Sequence, residues 1–433
     1  MGGRLRGPGR ALAGLACLAL AGGGAPAAAQ EPRTVRVRHT VLDTGTTKDL
    51  FTVSFPDERN GFAAGVDGTI VATTDGGATW TARDAPLNRA TSASRVGADV
   101  GEPGQLEHIT GISFVDALTG HFVTGDGSVL STSDGGATWA RLSLPPPSGV
   151  PAAKRPDGAV PPSWQFNSVH FVDREYGWAV GPEGMILATT DGGRTWSYQG
   201  NQNFGELSAV QFTDRDHGQA AGYLGQRPGK LPFVTVATAD GGRTWEPQES
   251  PVFRRSLPST NFAALWFVDA QRGHVVGSSG RIVVTRDGGR TWRLQRGGGA
   301  EELVGVAFAD PRRGLAVGVV DFEGFKRSVV YATDDGGENW TSSVVPGQTQ
   351  LWGGVDFADA DTAYAVGCGT SSPGPCQAGL VLRIDFPSPA PEDGEESSGP
   401  GRTLLIGAGA VVLLGGAAIL IRRRRYGAIG SEH

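Results

Sequence analysis

Methionine and cysteine are scarce, two and three residues in a chain of 433. Few stretches repeat apolar residues at a 3.6-residue period, which excludes a mainly helical protein. No G-X-Y period accompanies the abundant glycine, so collagen is excluded. There is no HExxH, no H-x-H, no Cys/His zinc spacing, no C-x-x-C, no P-loop and no G-x-S-x-G. Zinc, nucleotide and serine-hydrolase chemistry thus lose their sequence signatures, and no cofactor is called for. Basic charge is also short. Eight of the 38 Lys and Arg lie at the two ends, leaving 30 against 43 acidic residues between them. A body this acidic argues against nucleic acid as a partner. What the chain has instead is 68 glycines and ten tryptophans, with 39% apolar residues. That is a composition of many short strands and tight turns, too apolar for a disordered chain.

The ends read as addresses. Residues 1–29 place arginines first, then an apolar stretch, then Ala27-Ala28-Ala29 before Gln30, the pattern of a secretory signal. Residues 403–421 carry no charge and are followed at once by Arg422, Arg423, Arg424 and Arg425. Nineteen helical residues span about 28 Å, close to the hydrocarbon core. The positive-inside rule makes 422–433 a cytoplasmic basic tail, with everything before Arg402 outside. Residues 387–402 are a Pro/Ser/acidic stalk. The expectation is an exported, single-pass cell-membrane protein whose body is extracellular.

Between them the chain repeats itself. A D-G-G-x-x-W phrase recurs six times, in Asp75–Trp80, Asp134–Trp139, Asp191–Trp196, Asp240–Trp245, Asp287–Trp292 and Asp335–Trp340. Upstream lies F-x-D-x-x-x-G, seven times, beginning at Phe55, Phe114, Phe171, Phe212, Phe267, Phe308 and Phe357. The last copy ends in Ala363 and lacks the D-G-G box. Each unit reads as four strands, a to d, joined by turns every ~8–12 residues, which means all-β. Repeated four-stranded units are propeller blades, and seven copies imply seven blades over 30–386. Blade 7 stops after its third strand, while 34–40 is one strand too many at the start. That strand is expected to complete blade 7 and close the ring. In the box, Asp is expected to accept N–H groups two or three residues on, the glycines to supply positive φ, and Trp to pack on its own and the neighbouring blade. One carboxylate per turn is too few for Ca²⁺, so no metal is expected.

The box resembles the Asp-box, or bacterial neuraminidase repeat, S/T-x-D-x-G-x-T-W. That repeat occurs in sialidases, xyloglucan-degrading glycosidases, sortilin-type receptors and photosystem II stability/assembly factor propellers. The combined unit, seen best over 171–196, most resembles the last group. The resemblance covers roughly 34–386 and implies a seven-bladed propeller that binds protein without catalysing a reaction. The alternative is a sialidase-like or glucan-cleaving glycoside hydrolase, or a glycan-binding surface protein. A sialidase needs an arginine cluster, a Tyr with a Glu partner and an F/Y-R-x-P motif. The motif is missing, and Tyr176, Tyr331 and Tyr364 fall within repeat strands and turns. Paired carboxylates for a glycosidase would come from Asp99, Glu102, Glu107, Glu183, Asp321 and Glu323.

Cys368 and Cys376 read as a local disulfide in an exported protein. The a–b and c–d turns should share one face. The long departures, 83–107, 142–163, 223–232, 319–326 and 368–377, then share the other. Two candidate partner-binding sets follow. One is Arg194, Arg243 and Arg290, at one box position in three successive blades. The other is the aromatic set Trp164, Tyr223 and Phe322, with Phe166, at the loop ends.

Overall fold

The computed structural model describes residues 34–83, 85, 87, 108–144, 164–200, 202–224, 233–248, 262–322, 325–347, 349–369 and 378–387. They form seven antiparallel sheets, six of four strands in simple a-b-c-d order and one built from both ends of the chain. The chain is an all-β, seven-bladed propeller. Its blades occupy 50–83, 109–141, 168–198, 206–247, 262–296, 301–344 and 349–385, with the last completed by Arg38–Leu42. No helix among the described residues is long and apolar enough to cross a membrane. The expected signal, the transmembrane stretch 403–421 and the basic tail lie outside them.

Blade 3 shows why the repeat folds this way. Strands Ser168–Phe171, Gly177–Gly181, Met185–Thr189 and Ser197–Tyr198 pair in order. Strand b, GWAVG, is buried along its whole length, while the outermost strand d is partly exposed. A strand buried on both faces needs apolar residues at every position, and the sequence supplies them. The cores lie between blades. One cluster joins Trp178, Val180 and Ile186 of blade 3 to Leu207, Val210 and Phe212 of blade 4.

Two strand-b glycines are steric requirements in blades 1, 3, 4 and 6. A Cβ on Gly177 would lie 2.4 Å from the Phe171 ring, and one on Gly181 would lie 2.1 Å from the Gln165 carbonyl oxygen. The first glycine of strand b thus makes room for the repeated Phe, and the last lets strand a start against the backbone. In blade 7 the first of these is Ala363, and there Phe357 is only half-buried and tilts onto Phe386, 6.0 Å away.

Closure uses the N-terminus as the sequence indicates, with a shifted register. Residues 38–42, rather than 34–40, pair with strand c of blade 7, Arg38 opposite Asp385 and Leu42 opposite Val381. Residues 34–37 run along blade 6 instead. Val35 is buried there, and its N–H donates to Thr341 Oγ1 at 3.2 Å. Strand a of blade 7 is broken into Thr349–Gln350 and Val355–Phe357, with Gly353 lying against the Phe51 carbonyl of blade 1. The expected loop 319–326 is a hairpin. Strands b and c of blade 6 extend to Gly314–Phe322 and Phe325–Thr333, nine residues each. The other four expected insertions lie largely outside the described residues.

Candidate protein-binding face

The six boxes share one geometry. In blade 3, Thr189 Oγ1 donates to Asp191 Oδ1 (2.9 Å), and Thr195 donates to Asp191 through its N–H (2.8 Å) and hydroxyl (2.6 Å). The Gly193 N–H closes the turn on Thr189 Oγ1 at 2.8 Å. Gly192 and Gly193 have φ of 72° and 86°, and both box glycines are positive in all six copies, a conformation only glycine adopts cheaply. In blade 6 Asn339 stands in for the Thr and donates through Nδ2 to Asp335 (2.8 Å). The N–H accepted by the box Asp lies four residues on, not the two or three expected. The shorter offsets belong to the other repeated aspartate: Asp173 Oδ1 accepts Glu175 N–H (2.8 Å) and Tyr176 N–H (2.9 Å).

The box carboxylates are therefore fully engaged. Hydrogen bonds from Thr79 hold Asp75 at about 2, and Thr138 does the same for Asp134. Both stay ionised at any ordinary pH. No group of three or more His, Cys, Asp or Glu among the described residues is placed to hold a metal.

Each box is bonded to the a–b turn of its own blade, which puts both turns on one face. The first box glycine donates its N–H to a turn carbonyl: Gly76 to Arg59, Gly135 to Leu118, Gly192 to Glu175, Gly241 to Asp216, Gly288 to Gln271 and Gly336 to Arg312. The box tryptophans meet the repeated Phe edge-on, Trp196 on Phe171 at 6.0 Å and 90°, Trp245 on Phe212 at 5.7 Å. Trp80, Trp139, Trp292 and Trp340 repeat this on Phe55, Phe114, Phe267 and Phe308. Across the blade boundary the box tryptophans also meet the preceding blade, Trp80 edge-on to Tyr364 at 6.4 Å and Trp340 to His274 at 6.2 Å, and the second residue of strand b stacks on the next blade's repeated Phe. Trp178 stacks on Phe212 of the next blade at 3.4 Å, Phe62 on Phe114 at 3.6 Å and Tyr364 on Phe55 at 4.1 Å.

Arginines crowd this face, and most are tied down. Arg174 reaches back a blade to Asp116 (2.8 Å), and Arg215 reaches Asp173 (2.7 Å) and Glu175 (3.2 Å) while lying over Tyr176. Arg272 holds Asp269 at 2.7 Å, and Arg313 pairs with Asp361. Arg286 and Arg293 converge on Glu338. Arg194, Arg243 and Arg290 are exposed and make no hydrogen bond or ion pair among the described residues. Their row continues as Ala78 and Ala137 on one side and Glu338 on the other. The free positive charge is thus an arc over blades 3, 4 and 5.

Of the aromatic set, Trp164 and Phe166 are buried rather than surface anchors. Trp164 is 8% exposed and packs with Phe166, Val123 and Val129 between blades 2 and 3. Its carbonyl lies where a Cβ on Gly127 would stand, so it serves packing. Tyr223 is half-buried in strand b of blade 4. The Phe322 backbone is in strand b of blade 6, and its side chain is outside the described set. Cys368 is buried and disulfide-bonded, while Cys376 lies outside the described residues.

The buried tyrosine–glutamate–arginine trio of blades 5 and 6 does not make a sialidase site. Tyr331 donates to Glu301 Oε1 at 2.5 Å, and Arg296 lies 3.0 Å from the same oxygen. Tyr331 is 2% exposed, and burial together with the Glu301 bond pushes its hydroxyl pKa up. A nucleophile needs access and a lowered pKa. This trio clamps blade 5 to blade 6. Glu183 sits in the turn between strands b and c of blade 3 and Asp321 near the end of strand b of blade 6, and Asp99, Glu102, Glu107 and Glu323 lie outside the described residues.

Residues 158–258 match the family model described as photosynthesis system II assembly factor YCF48. A 69-residue stretch is 35% identical to the chloroplastic photosystem II stability/assembly factor HCF136 of Arabidopsis thaliana, covering 16% of this chain and 14% of that protein's length. A solved YCF48 bound to a D1 peptide superimposes with a TM-score of 0.55 at 19% identity, covering 82% of this chain and 96% of that one. The GH74 xyloglucanase of Xanthomonas campestris also superimposes, with a TM-score of 0.54 at 14% identity, over 80% of this chain and 55% of that one. At such identities the structural likenesses speak for the fold alone. The chain is an Asp-box β-propeller similar to the photosystem II stability/assembly factors.

Proposed function

We propose that this propeller is a non-catalytic protein-binding module of the assembly-factor kind. One observation carries the reading. On a face where the other arginines named above are spent on ion pairs or backbone carbonyls, Arg194, Arg243 and Arg290 stay exposed in successive blades without a hydrogen bond or ion pair among the described residues, near box aspartates that are already engaged. Exposed, unpaired arginine is what recognises a carboxylate on another chain, because the planar guanidinium offers paired donors. A solved relative of the fold carries a D1 peptide, which supports a peptide or protein as the partner class here. The secretory pattern of 1–29 and the apolar run 403–421 support an exported body anchored in the cell membrane, and the second cysteine of CGTSSPGPC supports a Cys368–Cys376 bridge.

The glycosidase reading has only the shared fold behind it. The test is direct. Photo-crosslinking from native membranes is run with the parent and with Arg194→Ala/Arg243→Ala/Arg290→Ala. A discrete protein adduct lost in the variant is expected. An identical adduct pattern, or hydrolysis of sialosides or β-glucans by the purified protein, overturns the reading.

A further inference from the structure

Three junctions between blades are latched by a hydrogen bond from the second residue of strand b to the box of the following blade. Tyr364 OH donates to the Gly76 carbonyl (2.5 Å), Trp178 Nε1 to Gly241 (3.3 Å) and Gln219 Nε2 to Gly288 (2.8 Å). In blades 2 and 5 the same position is histidine. His121 stacks on Phe171 at 3.7 Å with Nε2 3.3 Å from the Gly192 carbonyl. His274 stacks on Phe308 at 4.2 Å and on Trp340 edge-on at 6.2 Å. Both are nearly fully buried, at 2% and 3% exposure. His121 Nδ1 has no hydrogen-bond partner among the described residues, and the one backbone acceptor acting on the His274 ring is the Gly336 carbonyl, the counterpart of Gly192.

We propose that His121 and His274 make the 2/3 and 5/6 junctions acid-release points of the ring, so that protonation loosens blades 3–5 from their flanking blades. The inference stands whether or not the arginine arc binds a partner. Imidazolium requires a second acceptor, and none faces His121 Nδ1. Its strand neighbours are Ser113 and Ser131. Across the junction stand Phe171 and the blade-3 box, whose Asp191 is engaged by Thr189 and Thr195 and whose Arg194 points to solvent. Around His274 are Trp266 and Val284 on its own sheet, Gln295, and the box of blade 6 with Asp335 engaged by Asn339. The charged Arg286 opposes a second positive charge there. Stacking on a phenyl ring attracts a cation, but only by ~1–2 kcal/mol, less than the loss of hydration at such depth. Burial accordingly holds both rings at about 4 against an ordinary 6.5. Between those values the open junction binds more protons than the closed one, so acid favours opening.

His170 is the third buried histidine, at junction 3/4, where its Nδ1 accepts the Phe212 N–H. Burial holds His170 at about 4 as well, so acid removes this acceptor too; Trp178 and Gln199, which do not titrate, stay on the Gly241 carbonyl and keep the blade-4 box latched.

The fold itself supplies the control residues: glutamine fills this position in blade 4 and phenylalanine in blade 1. Hydrogen exchange on the full chain is read at the boxes of blades 3 (189–196), 5 (285–292) and 6 (333–340). After correction for intrinsic rate, opening at boxes 3 and 6 should rise roughly 30-fold from pH 6.5 to 4.5. Box 5, latched by Gln219, should stay protected. His121→Gln/His274→Gln should abolish the rise, with His121→Phe as a second variant should the double one fold poorly. Equal deprotection of all three boxes, or a rise unchanged in the variants, overturns the proposal.

Discussion

Asp356 is the residue that most departs from its repeat. The corresponding positions in blades 1 to 4 are Ser54, Ser113, His170 and Gln211, and each makes a hydrogen bond to the backbone of the Phe in the next blade's inner strand. At the closing junction Asp356 performs this task, accepting the Phe55 N–H at 2.8 Å and the Phe357 N–H at 2.9 Å. Burial pushes its pKa up to about 7, against those two bonds. The folded state therefore holds its proton where the unfolded chain has lost it. This contribution to stability is complete below about pH 4 and is lost as pH rises towards 7. Asp356→Asn is expected to gain on the parent from pH 5 to pH 8, by roughly 2–3 kcal/mol, read as the difference in urea midpoints. The same gap at both pH values would contradict it. The strand-b glycines make a second residue-scale case. Gly181→Ala places a methyl against the Gln165 carbonyl and is expected to cost about 1–3 kcal/mol of overpacking. In the parent, Gly298 has only open space around its Cβ position. Gly298→Ala, strained only by its φ, should cost less in the same melt.

At the scale of elements, four strands per unit, seven units and a borrowed N-terminal strand were all legible in the sequence, because the repeat prints the same turn chemistry each time. What escaped lay where a local pattern cannot see its partner. The offset to the box N–H depends on a turn lengthened by two positive-φ glycines. Trp164 looked like a loop anchor, yet it fills space between blades 2 and 3. The shift of the closing strand to Arg38–Leu42 follows from Val35 being drawn onto blade 6. Removing 34–42 strips blade 7 of its outer strand, leaving strand c Ala378–Asp385 with unpaired backbone groups. That truncation is expected to aggregate or to lose its cooperative melt. A chain ending after Pro387 keeps every described strand and is expected to melt as the parent does. A cooperative transition at the parent temperature without 34–42 would show that closure lies elsewhere.

For the whole molecule, the propeller presents one face of near-identical turns, stiffened by six box-to-turn bonds and by ion pairs between neighbouring blades. On that face three exposed guanidinium groups, in blades 3, 4 and 5, make no hydrogen bond or ion pair among the described residues. Alanines end the arc on one side, and on the other Glu338 ends it by drawing Arg286 and Arg293. The fold was readable from sequence, and so was the arginine row; that its neighbours are paired while it is not required the structure. Reversing charge at all three positions leaves the core untouched, so a difference in capture reports recognition alone. The decisive measurement is affinity-purified partner recovery from native membranes with the parent and with Arg194→Glu/Arg243→Glu/Arg290→Glu, both confirmed folded by their melts. The expected result is a defined partner recovered with the parent, more weakly as salt is raised, and lost with the variant. Undiminished recovery with the charge-reversed face would contradict the account.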